Sequence, residues 1–551
     1  MIKTRSGTFK GSENKSHTFV SGVLILTVSG LLVKIAGLLF KIPMNYIVGD
    51  TGMGYYNSAY SVYTLFYMLS TSGLPVAMSV MISEKRSVGR IKAAKLIYKI
   101  ALWVFLVIGL GISLFMLLCP GTLASLIRSE KSALSIAYAA PTVFFICVAS
   151  AIRGYFQGCG NMVPTAVSQL IEAVGKLVFG VLASAYAVRM GYGVHIVAAY
   201  GVAGLTVGSF FGTVYLLIVK RRRGDRDLAC GHTLAGFRES DGAKTADILK
   251  RFVKISFPIT VSASVMSLTS MIDTALIQRI LISSGMTEET AATLYGNYTS
   301  LAVPMFNLPP VLVYPIAYAL VPAISAAFAA GERNVAAEKI QSSLRYAVII
   351  GLPCALGLTV LADPILCLFY KEASAHMAAP LLVCLAPSSF FVCILAVTNS
   401  VLQACGQEKK PVVSMLVGAL VKCVSSVFLL SEFGISGAPI STFMCYFAVT
   451  VINFAFVVKH TGIRLRFRET FLTPLLGSVL SSTTALVGYK FLSGYLEGEV
   501  CCVVSILLAA IVYAGFIYFS GAVDKDEILA LLGRMINKKG KRKLEYSRTE
   551  T

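Results

Sequence analysis

Charge is what this sequence has least of. Only 14% of its 551 residues are Asp, Glu, Lys or Arg, against roughly 25% in an ordinary soluble domain. That scarcity excludes a soluble enzyme, which needs a polar surface, and a disordered tail, which stays unfolded by being polar and charged. Acidic residues are the scarcer sign, 27 Asp+Glu against 48 Lys+Arg, for a formal net charge of +21. Such an excess would suggest nucleic acid, but a basic face has to sit on a polar surface. Here 56% of the chain is hydrophobic and the mean hydropathy is +0.76. No nucleic-acid partner is expected; the cations read as the topological charge of an integral membrane protein.

Other absences narrow the reading. The single Trp, Trp103, cannot form an aromatic belt, so the 25 Tyr take that place. Neither a CxxC pair nor a Cys/His cluster occurs, which excludes a zinc site and a disulfide framework. Cys147, Cys393, Cys423 and Cys445 fall inside apolar runs, where free Cys acts as a small hydrophobe. The loop expected at Gly49-Asp50-Thr51-Gly52-Met53-Gly54 has the composition of a phosphate cradle. No strand precedes it and no Lys-Ser/Thr follows, so a nucleotide site is excluded. No catalytic residue, metal or cofactor is expected.

What is present is hydrophobic length. Crossing about 30 Å of hydrocarbon takes roughly 20 apolar residues. Such runs fall near 18–42, 55–82, 94–118, 132–155, 162–188, 195–219, 252–282, 294–328, 338–362, 376–404, 411–431, 435–458, 470–491 and 499–520. The fold class is therefore an all-α integral membrane protein of about fourteen transmembrane helices. Residues 1–17 are polar and the following run is too long for a signal peptide, so no cleavable leader is expected. Lys3, Arg5, Lys10 and Lys15 place the N-terminus in the cytoplasm. Alternating from there, the inner segments collect Lys85, Arg86, Arg90, Lys92 and Lys95, then Lys220 to Arg223, then Lys409 and Lys410. Later inner segments hold Lys459, Arg464, Arg466 and Arg468, and finally Lys538 to Lys543; the outer loops hold Asp50, Glu288, Glu289, Glu432, Glu497 and Glu499. Both termini are expected inside.

The halves repeat. Ala140-Pro-Thr-Val-Phe-Phe-Ile-Cys147 is echoed by Ala386-Pro-Ser-Ser-Phe-Phe-Val-Cys393, an offset of 246 residues from Pro141 to Pro387. Gln157, Cys159, Gly160 and Lys176 match Gln403, Cys405, Gly406 and Lys422 in the same register, and Pro164 matches Pro411 after one insertion. Asn57 precedes Pro75 by the same spacing as Asn297 precedes Pro315. Six spans per half is even, so the lobes are parallel repeats about an axis along the membrane normal. The expected organisation is an N-lobe at 1–219, a basic cytoplasmic linker at 220–251, a C-lobe at 252–460, two extra spans in 461–520 and a basic cytoplasmic tail at 521–551. Two such lobes suit a central cavity that opens alternately to either side.

Ionisable residues at membrane depth are functional candidates by default. Lys34 lies inside span 1, whereas Lys41 is near its outer end and can snorkel to water. Glu172 and Lys176 are four apart in the favourable order for a helical ion pair, and a mutually neutralising structural pair is the plainer reading. Lys422 has Gly418 where its repeat partner has Glu172, so its charge is less compensated locally. Asp273 is the one clear carboxylate deep in span 7, suited to a lysine, a coupling cation or a proton. Arg153 and Gln157 close span 4. Candidate substrate-binding residues are Lys34, Arg153, Gln157, Lys176, Lys422, Gln403, Asn57 and Asn297; Asp273 and Glu172 are candidates for coupling or ion pairing. This set leans cationic and suits an anionic head group. Prolines at 75, 141, 304, 309, 310, 315, 322 and 387 should bend their spans, most of all span 8.

Lys34-x-x-Gly37, Gly49-x-x-Gly52-x-Gly54-x-Tyr56 and the stretch from Arg153-Gly-Tyr155-Phe-Gln157 through Met162-x-Pro164 to Gln169-x-x-Glu172 resemble the SpoVB-like polysaccharide-biosynthesis proteins. That family includes the MurJ-type lipid II flippases and belongs to the MOP (MATE/MVF) exporter superfamily. The resemblance implies a flippase of an undecaprenyl-diphosphate-linked cell-wall precursor, a cationic central cavity and a groove for the lipid tail from spans 13 and 14. It implies a plasma-membrane monomer whose partners are the lipid-linked anionic glycan precursor, membrane lipids and cell-wall synthesis enzymes. Transport would be driven by a coupling cation or the membrane potential. Gram-negative members carry arginines in span 1 where this chain has Lys34, and lysine meets phosphate as a point charge rather than bidentately. The alternative is a cation-coupled multidrug exporter of the MATE type. A membrane enzyme would have to use Asp225, Asp227, His232, Glu239 and Asp241 of the linker, which lack metal-ligand spacing.

Overall fold

In the computed structural model, residues 10–223, 245–329, 331–463 and 466–521 are described, and every regular element among them is helical. Lys3 and Arg5, linker residues 224–244 with the five candidates of the enzyme reading, and the tail from 522 lie outside the described residues.

The first helix, α1 (Lys10–Thr71), joins both of the first two expected spans. The Gly-rich stretch between them is not a loop. Helix continues on both sides of Gly49, whose φ of 73° and ψ of 175° make the one non-helical joint. A positive φ is costly for any residue with a Cβ, so Gly49 serves as the joint at which the helix folds sharply enough to bring the Phe40 and Tyr56 rings to 5.5 Å. Then follow α2 (Gly73–Ser87), α3 (Ile91–Leu118), α4 (Pro120–Leu126), α5 (Ala133–Gly158), α6 (Val163–Arg189), α7 (Val194–Arg223) and α8 (Thr245–Ser283). Next come α9 (Glu288–Gly296), a π-helical turn at Asn297–Ala302, α10 (Val303–Phe306) and α11 (Leu308–Ala329). Asn307 interrupts the helix amid Pro304, Pro309 and Pro310, as the proline density predicts. The remainder is α12 (Arg333–Val360), α13 (Ala362–Phe369), α14 (Glu372–Ala404), α15 (Lys409–Phe433), α16 (Gly437–Thr461), α17 (Thr473–Leu492) and α18 (Gly498–Phe519).

Ten helices among the described residues are long and apolar enough to cross a membrane, or eleven if those flanking Asn307 form one broken span. Two of the ten stretches, Val28–Arg86 and Lys409–Thr461, run 59 and 53 residues. At 1.5 Å per residue these have contour lengths of about 88 and about 80 Å, well beyond the roughly 30 Å of a single pass.

The chain divides into two compact units. The first is Met1–Pro304 with Phe369–Leu381 and Met415–Cys445; the second is Met305–Leu368, Leu382–Ser414 and Tyr446–Thr551. In the first, α6 and α7 meet backbone to backbone. A Cβ on Gly204 would come 2.4 Å from the Gly180 Cα, one on Gly208 2.5 Å from the Glu172 carbonyl oxygen, and one on Gly212 3.1 Å from that of Ser168. The 204, 208, 212 spacing puts these glycines on one helix face. Lipid tails are as apolar as leucine, so helices in a bilayer gain from close packing rather than from water exclusion, and small residues permit it. In the second unit, Ser481 Oγ donates to the Ala509 carbonyl at 2.8 Å, fixing α17 to α18, and Tyr513 OH donates to that of Ile349 at 2.9 Å.

The repeat read from sequence recurs in tertiary contacts. In the first unit Cys147 fills the space beside Gly109, Phe145 packs on Phe210 at 5.4 Å, and Thr213 Oγ1 donates to the Phe145 carbonyl at 3.0 Å. In the second, Cys393 fills the space beside Gly351, Phe391 packs on Phe447 at 5.4 Å, and Thr450 Oγ1 donates to the Phe391 carbonyl at 3.3 Å.

Candidate functional site

Two of the polar candidates, Asn57 and Asn297, lie in the first unit at the crossing of α1 with α9 and the π-helical turn. Gly54 and Gly296 make that crossing possible. A Cβ on Gly54 would lie 1.9 Å from the Ala292 carbonyl oxygen, and one on Gly296 2.1 Å from that of Asp50. Asn45 Nδ2 donates to the Asp50 carboxylate at 2.9 Å, and Asn297, in the amide orientation that satisfies its partners, donates to it at 3.1 Å. Asn57 donates to the Met53 carbonyl at 2.8 Å and to Ser300 Oγ. Asn57 and Asn297 thus brace one seam; Asp50 is the acceptor shared by Asn45 and Asn297, and Ser300 Oγ accepts from Asn57. A π-helical turn breaks the regular i→i−4 ladder. Here Lys41 Nζ donates to the Thr299 carbonyl at 2.7 Å and Tyr370 OH to that of Ser300 at 3.1 Å. Gly54→Ala is expected to destabilise by about 1–3 kcal/mol, because backbone rather than a flexible side chain must move. Gly37→Ala, whose added Cβ meets nothing within 4 Å, is the control. Equal melting of both variants in detergent would contradict this account of the crossing.

Lys176 is not the partner of Glu172. Its ammonium lies 4.7 Å from the Phe40 ring centroid, 4.8 Å from Tyr60 and 5.8 Å from Tyr56, an aromatic cage from both parts of α1. Cation–π contacts contribute roughly 0.5–2 kcal/mol each, more when desolvated. Tyr56, Tyr60, Tyr63 and Tyr67 then continue as a ladder along one face of α1, with centroids 6.0, 5.4 and 5.8 Å apart. Their spacing of four, three and four is a helical stripe visible in the sequence, and it is the signal that points to this cage.

Glu172 is instead held by Arg153, which is buried. Arg153 Nη2 donates to Glu172 Oε2 at 2.9 Å and its Nε to Ser168 Oγ at 2.9 Å. The expected Glu172–Lys176 pair gives way because the planar guanidinium reaches two acceptors on α6 at once. One register on, Asn399 takes the place of Arg153 and accepts from Asn453 Nδ2 at 2.6 Å.

Lys422 is compensated too, but across helices. Its Nζ lies 2.9 Å from Asp273 Oδ2, with both side chains largely buried. The missing carboxylate at position 418 is supplied by α8, which no local spacing rule reports. Asp273 Oδ1 is buried and has no hydrogen-bond partner among the described residues. The repeat-related lysines therefore differ: Lys176 meets rings and Lys422 meets a carboxylate. Lys34 lies at an exposed position of α1, Gln157 is half-buried at the end of α5, and Gln403 is exposed near the end of α14.

The polysaccharide biosynthesis protein family matches residues 19–328, and the MatE family matches 258–428. Among curated proteins of Bacillus subtilis (strain 168), Lipid II flippase MurJ is 24% identical over 95% of this chain and 98% of its own length. Stage V sporulation protein B is 26% identical over 94% of this chain and 99% of its own. Among solved structures, Lipid II flippase MurJ in an inward closed conformation superposes with a TM-score of 0.70 at 14% identity, covering 92% of this chain and all of that one. An inward-facing multidrug resistance MATE family transporter of the MOP superfamily gives 0.60 at 15%, over 81% of this chain and 98% of that one. MurJ is named as a lipid II flippase and the MATE protein as a multidrug resistance transporter, and the two structural matches establish a shared fold. With more than half of its length matched, the chain belongs to the polysaccharide biosynthesis protein family.

Proposed function

We propose that this chain is a flippase that moves an undecaprenyl-diphosphate-linked cell-wall precursor, lipid II or a related lipid-linked oligosaccharide, from the inner to the outer leaflet by alternating access. The observation that carries this reading is the end-to-end similarity to Lipid II flippase MurJ, 95% of this chain against 98% of that protein. A diphosphate crossing hydrocarbon needs cations at depth. Lys176 suits that role best, because Glu172 is ion-paired with Arg153 and the groups packed on the lysine ammonium are aromatic rings without net charge. Lys34, Arg153, Gln157, Asn57, Asn297, Gln403 and Lys422 complete the proposed substrate set, with Asp273 and Glu172 as coupling or structural acids. The protein acts in the plasma membrane as a monomer with both termini cytoplasmic and hands its cargo to cell-wall synthesis enzymes. Lobes at 1–219 and 252–460 enclose the cargo head group, and the helices beyond 461 receive its lipid tail. The driving force is a coupling cation or the membrane potential.

The test is translocation of labelled lipid II in proteoliposomes. Transport no faster than in protein-free vesicles, across several polyprenyl-linked cargoes, would overturn the proposal. Lys176→Met removes the charge without stranding a carboxylate and keeps the side-chain volume. It is expected to slow translocation at least about tenfold, equivalent to roughly 1.4 kcal/mol, at unchanged protein level. A second reading, a cation-coupled multidrug exporter, is favoured only by the MatE match and the MATE fold. Unchanged drug sensitivity on overexpression would remove it.

A further inference from the structure

Where α2 turns into α3 through Gly89, at φ 76°, a recess of about 360 Å³ opens between the ends of α2, α3 and the start of α8. Lys85, Arg90, Lys92 and Arg251 all line it, with Asp247 the one carboxylate in the lining. Arg251 is also bound by Glu84 at 2.6 Å. Among the described residues at the recess, with Glu84 counted, there are four cations and two carboxylates. The inner part of the recess is apolar, formed in part by the buried Ile97 and Ile248.

Cations that only mark topology spread outward into water, where mutual repulsion is smallest. Here they converge on a concave, apolar-floored recess at the ends of membrane helices, the level of lipid head groups. Basic recesses in that position suit phosphate-bearing head groups. The apolar floor and cationic wall together match an amphiphile whose phosphate lies above carbon chains. None of these residues belongs to the proposed translocation set, so the inference does not rest on the flippase reading. We propose that this recess is a phosphate-binding subsite, with Arg90 and Lys92 as its principal ligands.

A lipid phosphate and a soluble one share this chemistry, and the experiment separates them. Full-length protein is reconstituted in phosphatidylcholine nanodiscs containing a minor share of phosphatidylglycerol, and bound lipid is read by native mass spectrometry. The wild-type protein is expected to retain phosphatidylglycerol over phosphatidylcholine, and Arg90→Gln with Lys92→Gln to cut that retention at least about fivefold. In parallel, inorganic pyrophosphate is titrated against melting temperature. A saturable rise that the double variant loses, with lipid retention unchanged, assigns the subsite to a soluble phosphate. Should the double variant fail to fold, Arg90→Lys with Lys92→Arg keeps the charge and is expected to keep binding. Neither ligand discriminating wild type from the neutral variant, or equal loss in the charge-preserving one, overturns the proposal.

Discussion

Lys422→Ala is expected to destabilise the protein by about 3–5 kcal/mol, the cost of leaving a buried ionic partner uncompensated. Asp273 is largely buried, its Oδ2 is 2.9 Å from the lysine, and its Oδ1 already has no hydrogen-bond partner among the described residues. Loss of the lysine removes the remaining strong interaction of that carboxylate. The thermal midpoint in detergent should fall by several degrees. Pairing Lys422→Ala with Asp273→Ala should recover most of the loss, because replacing both ions by apolar groups is often close to neutral. Translocation by the double variant then separates two roles. Recovery of folding and transport makes the pair structural, whereas recovery of folding alone makes one of them a cargo or coupling residue. A single Lys422→Ala variant that melts like the wild type would sink the argument.

The second large effect falls on Arg153→Ala. The guanidinium is buried and makes two charge-assisted bonds, to Glu172 and Ser168, so its loss should cost about 3–5 kcal/mol. It has a further consequence. Glu172 lies four residues before Lys176, and a released carboxylate at that spacing can turn to the lysine. Arg153→Ala should therefore both weaken the fold and neutralise the caged ammonium. Arg153→Ala with Glu172→Ala is expected to recover stability and leave Lys176 in its cage. Glu172→Gln keeps an acceptor for Arg153 but removes its counter-charge, and should fall between Arg153→Ala and the double variant. Thermal midpoints and lipid II translocation together read the result, and a double variant less stable than Arg153→Ala would contradict the pairing.

How much of this was legible depends on how far apart the partners lie. The helices α3, α5, α6, α7, α17 and α18 end within a few residues of the apolar runs, because hydrophobic length is a local property. The repeat was legible because Pro141 and Pro387 carry matching neighbours in one register, and the packing of Phe145 and Phe391 follows it. Local spacing misled where a more distant partner won. Glu172 and Lys176 have good helical spacing, yet Arg153 on the preceding helix fits the carboxylate better. Lys422 lacks an acid within four residues on its own helix and finds Asp273 on α8. Gly49, Gly52 and Gly54 read as a loop by composition, but Gly54 is there to let α9 approach. The lysine cage needed the two parts of α1 to be seen folded about Gly49. The Tyr56–Tyr60–Tyr63–Tyr67 stripe was its only linear trace.

The glycine contact between α6 and α7 bears on motion. Two helices whose backbones touch at Gly180, Gly204 and Gly208 have no side-chain layer to shear through. They should travel as a single lever, carrying Glu172 and Lys176 at a fixed height relative to α7. Spin labels placed on the outer faces of α6 and α7 should then report one narrow distance distribution with or without cargo. Any rearrangement that changes what Lys176 faces must come from α1, whose joint at Gly49 separates the part that carries Phe40 from the part that carries Tyr60.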